Sequence, residues 1–196
     1  MTITVRAAAP ADAPAVAAIY APLVTATATS FEEQPPTPDE IGRRMLARPR
    51  LPWLVADDDG RVAGYAYAAA HRGRPAYRWS AESSVYLDPA YQGRGLGRQL
   101  YERLITEVRD LGYRSLYAGI ALPNPASVGL HEALGFTPVG VFRDVGYKLG
   151  AWRDVGWWQC ALADRDTALD TGPDIGPDIG PAGPDGAPAE PRSWTA

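Results

Sequence analysis

Ser84-Val85-Tyr86-Leu87-Asp88-Pro89-Ala90-Tyr91-Gln92-Gly93-Arg94-Gly95-Leu96-Gly97 is the stretch that decides how this chain folds. A β-branched and aromatic strand ends at Asp88-Pro89, and glycines follow at alternate positions. A helical run then begins, with Leu96, Leu100, Leu104, Val108 and Leu111 recurring on one side. Amides of the glycine loop and of the helix start have no partners inside the helix, so they converge on one point. Such a point binds a pyrophosphate.

The spacing narrows the ligand. A dinucleotide fingerprint needs G-x-G-x-x-G. Counting from Gly93, the third glycine comes one residue early at Gly97, and Arg98 stands where it belongs. A P-loop needs a lysine followed by Ser or Thr, but Arg98-Gln99 closes this loop and the only lysine is Lys148. What is left is Q-x-x-G-x-G, from Gln92 to Gly97. It resembles the acyl-CoA pyrophosphate loop of the GNAT N-acetyltransferase family. The competing reading is a glycine-rich turn that merely permits close packing.

Working outward, the 196 residues suit one domain with a tail, and nearly half are apolar. No apolar run reaches the ~18 residues of a membrane span. Pro10, Asp12, Pro14 and Pro22 break up the alanine-rich start, which lacks the apolar stretch of a signal peptide. The expectation is a cytoplasmic protein that engages no membrane. A single cysteine, Cys160, rules out an internal disulfide; beside Trp157 and Trp158 it reads as a small buried hydrophobe before a nucleophile. With two histidines and one cysteine, no metal-ligand cluster presents itself. From residue 163 onward seven acids face two bases, −5 of the net −4, which leaves residues 1–162 at +1. A near-neutral body has no extended basic face for nucleic acid.

After Leu162 the composition changes to a GPDI repeat and Pro/Gly-rich sequence. Residues 1–164 are expected to form the folded domain and 165–196 a disordered tail, because few large apolar residues there offset the cost of ordering. Within the domain, Thr2 to Arg6 reads as a strand. A helix from about Asp12 follows, with Val16, Ile19, Tyr20 and Leu23 at helical spacing. Thr37-Pro38-Asp39-Glu40 is a capping box opening a second helix to about Ala47. Trp53–Ala56 and Arg61–Ala69 are strands joined across Asp57-Asp58-Asp59-Gly60, a hairpin turn. Glu82–Leu87 is a strand, Gly97–Leu111 the long helix and Leu116–Ala121 a strand. Asn124–Leu134 is a helix closed by Gly135, and Phe136–Phe142 and Asp154–Leu162 are strands. The order β-α-α-β-β-β-α-β-α-β-β, with a mixed sheet, is what the acetyltransferase resemblance implies, and a hairpin-first α/β (α+β) chain fits it better than a doubly wound one.

Three further stretches narrow the resemblance. Arg74-Pro75-Ala76-Tyr77-Arg78-Trp79-Ser80-Ala81-Glu82-Ser83-Ser84-Val85-Tyr86 follows R-x-A-Y-x-W-[ST]-x-E-x-[ST]-x-Y. Leu122-Pro123-Asn124 runs on through His131 to Gly135-Phe136, and Gly146-Tyr147-Lys148 is followed by Trp152-Arg153-Asp154-Val155-Gly156-Trp157-Trp158-Gln159. Together they are similar to the phosphinothricin and methionine sulfone/sulfoximine N-acetyltransferases, and they span most of residues 1–162. One departure is Pro125 directly after Asn124, where related sequences often carry an acidic residue.

The resemblance implies the GNAT fold, a central and mostly antiparallel sheet flanked by helices. Two strands, one ending near Tyr86 and the other Leu116–Ala121, would splay apart to admit pantetheine. It implies acetyl-CoA as co-substrate, held by Gln92, Gly93, Arg94, Gly95, Leu96, Gly97 and Arg98, by the backbone of Val85, Tyr86 and Leu87, and by Asn124 and Ser127. It implies no metal, a small amino-acid acceptor and a homodimer. Glu82 is the implied general base, since amine attack needs the free base and partial burial raises a carboxyl group toward useful values. His131 is the second implied catalytic residue, able to pass a proton to sulfur or to assist the base. For the acceptor the match selects Phe31, Arg74, Tyr77, Ser84 and Tyr86; a planar guanidinium suits a carboxylate or phosphinate. His71 receives no role.

Two other readings stay open at this point. The chain could bind acyl-CoA as a sensor or scaffold, or it could acetylate another amine such as a protein N-terminus. The presence of both Glu82 and His131 speaks against a pure binder, and the arginine loop favours a small anionic acceptor.

Overall fold

The computed structural model describes residues 3–163 and 189–195. Its strands are β1 (Thr4–Ala7), β2 (Trp53–Asp58), β3 (Arg61–Ala70), β4 (Ser80–Leu87), β5 (Ser115–Ala121), β6 (Thr137–Lys148) and β7 (Ala151–Ala161). The helices are α1 (Ala13–Ala26), α2 (Pro38–Met45), α3 (Leu96–Asp110) and α4 (Pro125–Ala133). The expected order of elements is the observed one. All strands join one sheet, β1-β2-β3-β4-β5-β7-β6, in which only β4 and β5 run parallel.

Local signals act as their chemistry dictates. Asp59 (φ 48°) and Gly60 (φ 88°) turn β2 into β3, and Asp57 Oδ1 accepts the Gly60 N–H at 2.6 Å. At α2, Thr37 Oγ1 accepts the Glu40 N–H at 3.2 Å, but the Glu40 carboxylate turns to Arg43 and Arg44, so only half of the capping box forms. The β6–β7 hairpin is longer than its sequence suggests. Leu149 (φ 52°) and Gly150 (φ 76°) make a tight turn that carries both strands past the expected ends at Phe142 and Asp154.

Two cores lie on opposite faces of the sheet. Leu54 and Ala56 of β2 enter the one beneath α3, with Leu100, Leu104, Val108 and Leu116. Their neighbours Trp53 and Val55 enter the one beneath α1 and α2, with Val16, Ile19, Val24, Ile41 and Met45. Strand alternation therefore buries successive residues on both sides, which is why β2 reads as a continuous apolar run.

The sheet has one gap. β4 and β5 pair only over Ser80–Glu82 and Ser115–Tyr117. Both strands run on, to Leu87 and Ala121, without pairing each other, and this is the splay that the family resemblance implies.

Residues 165–188 of the expected tail, and residue 196, lie outside the described residues. Residues 189–195 do not match an expectation of disorder. Trp194 is 7% exposed and belongs to the core beneath α3. Its N–H donates to the Arg50 carbonyl at 2.9 Å, and the Arg192 N–H donates to that of Leu111 at 2.8 Å. Glu190 meets Arg78 at 2.7 Å, and Trp79 Nε1 donates to the Ala189 carbonyl at 2.9 Å. One indole at the end of a polar, proline-rich stretch supplies the burial that composition averaged over the tail conceals.

Candidate active site

The glycine loop is built as the first motif predicts. Asp88 accepts the Ala90 N–H at 2.9 Å, which stops β4 in a 3-10 turn, Pro89–Tyr91. Gly93 (φ 74°) and Gly95 (φ 77°) are left-handed, and Gly95 is the N-cap of α3 without a capping side chain. The first amides of α3 are thus left without a capping side chain, and a Cβ at Gly97 would stand 3.7 Å from Leu87 at the end of β4 and 3.4 Å from Leu130 of α4. Leu96 and Gly97 are buried, and Arg98 pairs with Glu102 at 2.7 Å along the helix. Arg94 lies 5.2 Å from the Tyr91 ring centroid.

The gap itself is lined by Ser83, Ser84, Val85 and Tyr86 on one strand and by Ala118, Gly119, Ile120 and Ala121 on the other. Asn124, Ser127 and His131 of α4 close it from the side. Asn124 Oδ1 caps the helix by accepting the Ser127 N–H at 3.1 Å, so Pro125 at the first helical position does no harm. Its amide NH2 has no hydrogen-bond partner among the described residues.

His131 is 4% exposed and has both ring nitrogens engaged. Nδ1 lies 2.7 Å from the Ser127 carbonyl, which can only accept, so the proton sits on Nδ1. Nε2 then accepts from the Tyr101 hydroxyl at 2.8 Å, and that hydroxyl lies 3.2 Å from Ser83 Oγ. Burial holds the imidazole below its ordinary value of 6.5, against the opposing pull of the Ser127 bond. Direct proton delivery from His131 to a sulfur, one role the sequence suggests, has no free nitrogen behind it. Tyr101, whose phenol is held protonated by burial, lines the gap together with His131. Sequence reading passed over Tyr101 because it follows Leu100 on the buried face of an amphipathic helix. The signal was its polar tip, which needs a partner once buried.

The opposite face of the sheet carries Glu82, Ser84 and Tyr86, alternate residues of β4. A recess lined by Thr29, Phe31, Glu82, Val155 and Trp157 shares Thr29, Ser83, Ser84, Gly119 and Ala121 with the gap. The two spaces thus adjoin along shared walls, and Glu82 lines the recess next to Ser83 and Ser84, which line both. Its side chain is 37% exposed, more open than its apolar neighbours suggested, and Oε1 lies 2.9 Å from His71 Nδ1. Tyr86 packs instead against Tyr20 and Tyr65, centroids 5.0 and 5.3 Å away.

The lid of the recess is anchored from β6. Lys148 is 9% exposed and donates to the carbonyls of Ser30 at 2.5 Å and Glu32 at 2.7 Å. Phe31 lies on Gly146, where a Cβ would stand 2.2 Å from its ring. Tyr77 meets His71 edge-on at 5.8 Å, which brings it toward Glu82, whereas Arg74 is exposed where the turn Pro75–Tyr77 begins. Cys160 is buried on the other face of the sheet, and burial pushes its thiol up. No helix of the described residues is long and apolar enough to cross a membrane.

Comparison with known proteins agrees with this geometry. The profile of the acetyltransferase (GNAT) family matches residues 20–136. The phosphinothricin N-acetyltransferase of Streptomyces viridochromogenes is 44% identical over 158 residues, 80% of this chain and 86% of the relative. The L-methionine sulfoximine/L-methionine sulfone acetyltransferase of Salmonella typhimurium is 40% identical over 170 residues, 86% of this chain and 99% of the relative. A solved phosphinothricin acetyltransferase from Sinorhizobium meliloti, in complex with acetyl-CoA, has a TM-score of 0.78 at 39% identity, over 83% of this chain and 89% of that one.

Proposed function

This chain belongs to the GNAT acetyltransferase family and is an N-acetyltransferase, and we propose that it acetylates the α-amine of a small, glutamate-like amino acid. Phosphinothricin, methionine sulfoximine and methionine sulfone are the acceptors of this class. The observation that carries the reading is Glu82 in the recess beside Phe31, next in β4 to Ser83 and Ser84, which also line the β4–β5 gap. A base there faces both an acceptor held in the recess and whatever fills the gap.

The residues present fit acetyl-CoA, which supplies the acetyl thioester. The unpaired edge of β4 from Ser83 onward and the side-chain-free N-cap at Gly95 both offer backbone amides to a long, pyrophosphate-bearing ligand. Glu82 takes the proton of the acceptor's ammonium, leaving the free amine and a neutral carboxyl group. The amides of Val85 to Leu87 stabilise the negative charge that develops on the carbonyl oxygen. The Tyr101 hydroxyl lines the gap and donates its one proton to His131 Nε2, so the pair can pass a proton to the leaving thiolate only when that bond opens. Transfer is direct: Cys160 lies on the far face of the sheet from Glu82 and its thiol is held protonated.

The test is release of free CoA thiol across a panel of amino acids. Phosphinothricin, methionine sulfoximine or methionine sulfone should release it, and Glu82→Gln should lower turnover about a hundredfold or more while acetyl-CoA still binds. Release only with peptide N-termini would refute the acceptor class, and an acetyl group stably attached to Cys160 would refute direct transfer.

The protein is further proposed to be a cytoplasmic homodimer. β6 ends the sheet as a long edge strand that exposes Val139, Val141, Phe142, Val145 and Tyr147, with Trp152 beside them on β7. An uncovered apolar edge of this length invites pairing with a second copy. Light scattering in solution should give twice the chain mass; a monomer at micromolar concentration would reject the dimer.

A further inference from the structure

We propose that His71 is the positioning residue of Glu82, fixing which carboxylate oxygen receives the acceptor's proton. This rests on the reading of Glu82 as the base. His71 follows β3 directly, where its N–H meets the Ser80 carbonyl at 3.4 Å, and its ring reaches back over the sheet to Glu82. The bond from Nδ1 to Oε1 is 2.9 Å, and an ionised carboxylate can only accept, so Nδ1 carries the hydrogen.

The ring cannot easily turn. It stacks on Tyr117 of β5, centroids 4.6 Å apart and planes 20° apart. Trp157 of β7 meets it edge-on at 6.1 Å and Tyr77 of the acceptor turn at 5.8 Å. Three aromatic side chains from separate elements thus fix an imidazole that is 12% exposed, and the imidazole fixes a carboxylate that is 37% exposed. A glutamate this open would otherwise sample several rotamers, and holding one in reactive geometry is worth rate.

The consequence is specific. Oε1 is engaged by Nδ1–H, so Oε2 faces the acceptor. The ammonium gives its proton to Oε2, and the products are a neutral amine and a neutral carboxyl group still held through Oε1. Because Tyr77 touches the same ring, seating of the acceptor turn and orientation of the base depend on one side chain.

Four proteins test this: His71→Phe, His71→Asn, Glu82→Gln and the double variant His71→Phe/Glu82→Gln. Phenylalanine keeps the stack on Tyr117 and removes the donor, so kcat should fall about tenfold or more while KM for acetyl-CoA holds. Asparagine can place an N–H near the Nδ1 position and should restore most of the lost turnover. In the Glu82→Gln background His71→Phe should cost nothing further. The proposal is overturned if His71→Phe keeps full kcat while Glu82→Gln loses it, if asparagine rescues nothing, or if His71→Phe costs the same factor with Gln at position 82. Unchanged turnover in Glu82→Gln itself would overturn the base assignment, a separable result.

Discussion

Trp194 donates its indole N–H to Glu107 Oε2 at 2.7 Å, joining the last described residues to the last turn of α3 across 87 positions. The ring is buried in the core beneath α3, with the Arg50 guanidinium carbon 5.5 Å from its centroid. Apolar burial, not the contacts around it, sets the size of its contribution. Truncating a buried aromatic costs about 3–5 kcal/mol, and the low end, about 3, applies where a segment can detach as a unit. Trp194→Ala should lower the unfolding free energy measured in urea by that amount, and removal of the residues after Ala163 should do the same.

The Glu190–Arg78 pair sits on the same segment and is equally short at 2.7 Å, but its side chains are 67% and 37% exposed. Solvent screens such a pair to less than about 1 kcal/mol. Glu190→Ala should therefore leave the urea midpoint almost unmoved. A loss matching that of Trp194→Ala would show that charge, not burial, holds the segment.

Gly95 separates backbone from ligand requirements at the glycine loop. At φ 77° it holds a conformation that costs an L-residue about 1–2 kcal/mol, and the space around it is open. Gly95→Ala should lose about that much stability and raise KM for acetyl-CoA as the loop shifts. Gly97 differs: it is helical, and a Cβ there would make ordinary contact with Leu130 at 3.4 Å. Helix propensity then predicts a gain of up to about 1 kcal/mol for Gly97→Ala. If KM for acetyl-CoA stays at its original value in Gly95→Ala, the loop does not grip the coenzyme.

The particular residues show where sequence suffices. Val16, Ile19 and Tyr20, the leucine row of α3 and the Asp59-Gly60 turn obey local rules, and each element they specify forms in the expected order. The glycine loop is equally local. His71 and Tyr101 are different in kind. Their roles depend on Glu82, eleven residues away, and on His131, thirty away, meeting them across the sheet or between helices. Neither periodicity nor motif carries that information. Trp194 eludes the sequence for a second reason, since one large side chain outweighs the polar composition around it.

His131 ties stability to pH. Its buried imidazole is held below the ordinary 6.5, so in that interval the unfolded chain binds more protons than the folded one. Stability is then fully present above about pH 7.5 and falls as pH drops through 6.5 toward the lower folded value, by up to about 1.4 kcal/mol per pH unit. Asp12 and Glu32, held low chiefly by Arg6 and Arg44, lose their contributions only as pH falls below 3.8 and 4.5. Urea midpoints between about pH 8 and pH 5 should decline for the native chain and flatten for His131→Asn. Parallel curves would show that His131 binds its proton equally in the folded and unfolded states.

Lys148 offers the sharpest separation of acceptor from coenzyme effects. Its Nζ holds the carbonyls of Ser30 and Glu32 from 118 and 116 positions away, and Phe31 between them covers the recess beside Glu82. Lys148→Met keeps the buried stem and removes both donors, leaving two carbonyls without their partner, at a cost of about 2 kcal/mol. The loosened segment no longer presses Phe31 over the recess, so KM for the amino acid should rise while KM for acetyl-CoA, on the proposed assignment to the β4–β5 gap and glycine loop, stays put. Gly146→Ala should act alike, since its Cβ would occupy the space of the Phe31 ring. Equal increases in both KM values would mean that the segment supports the whole fold and has no particular hold on the acceptor.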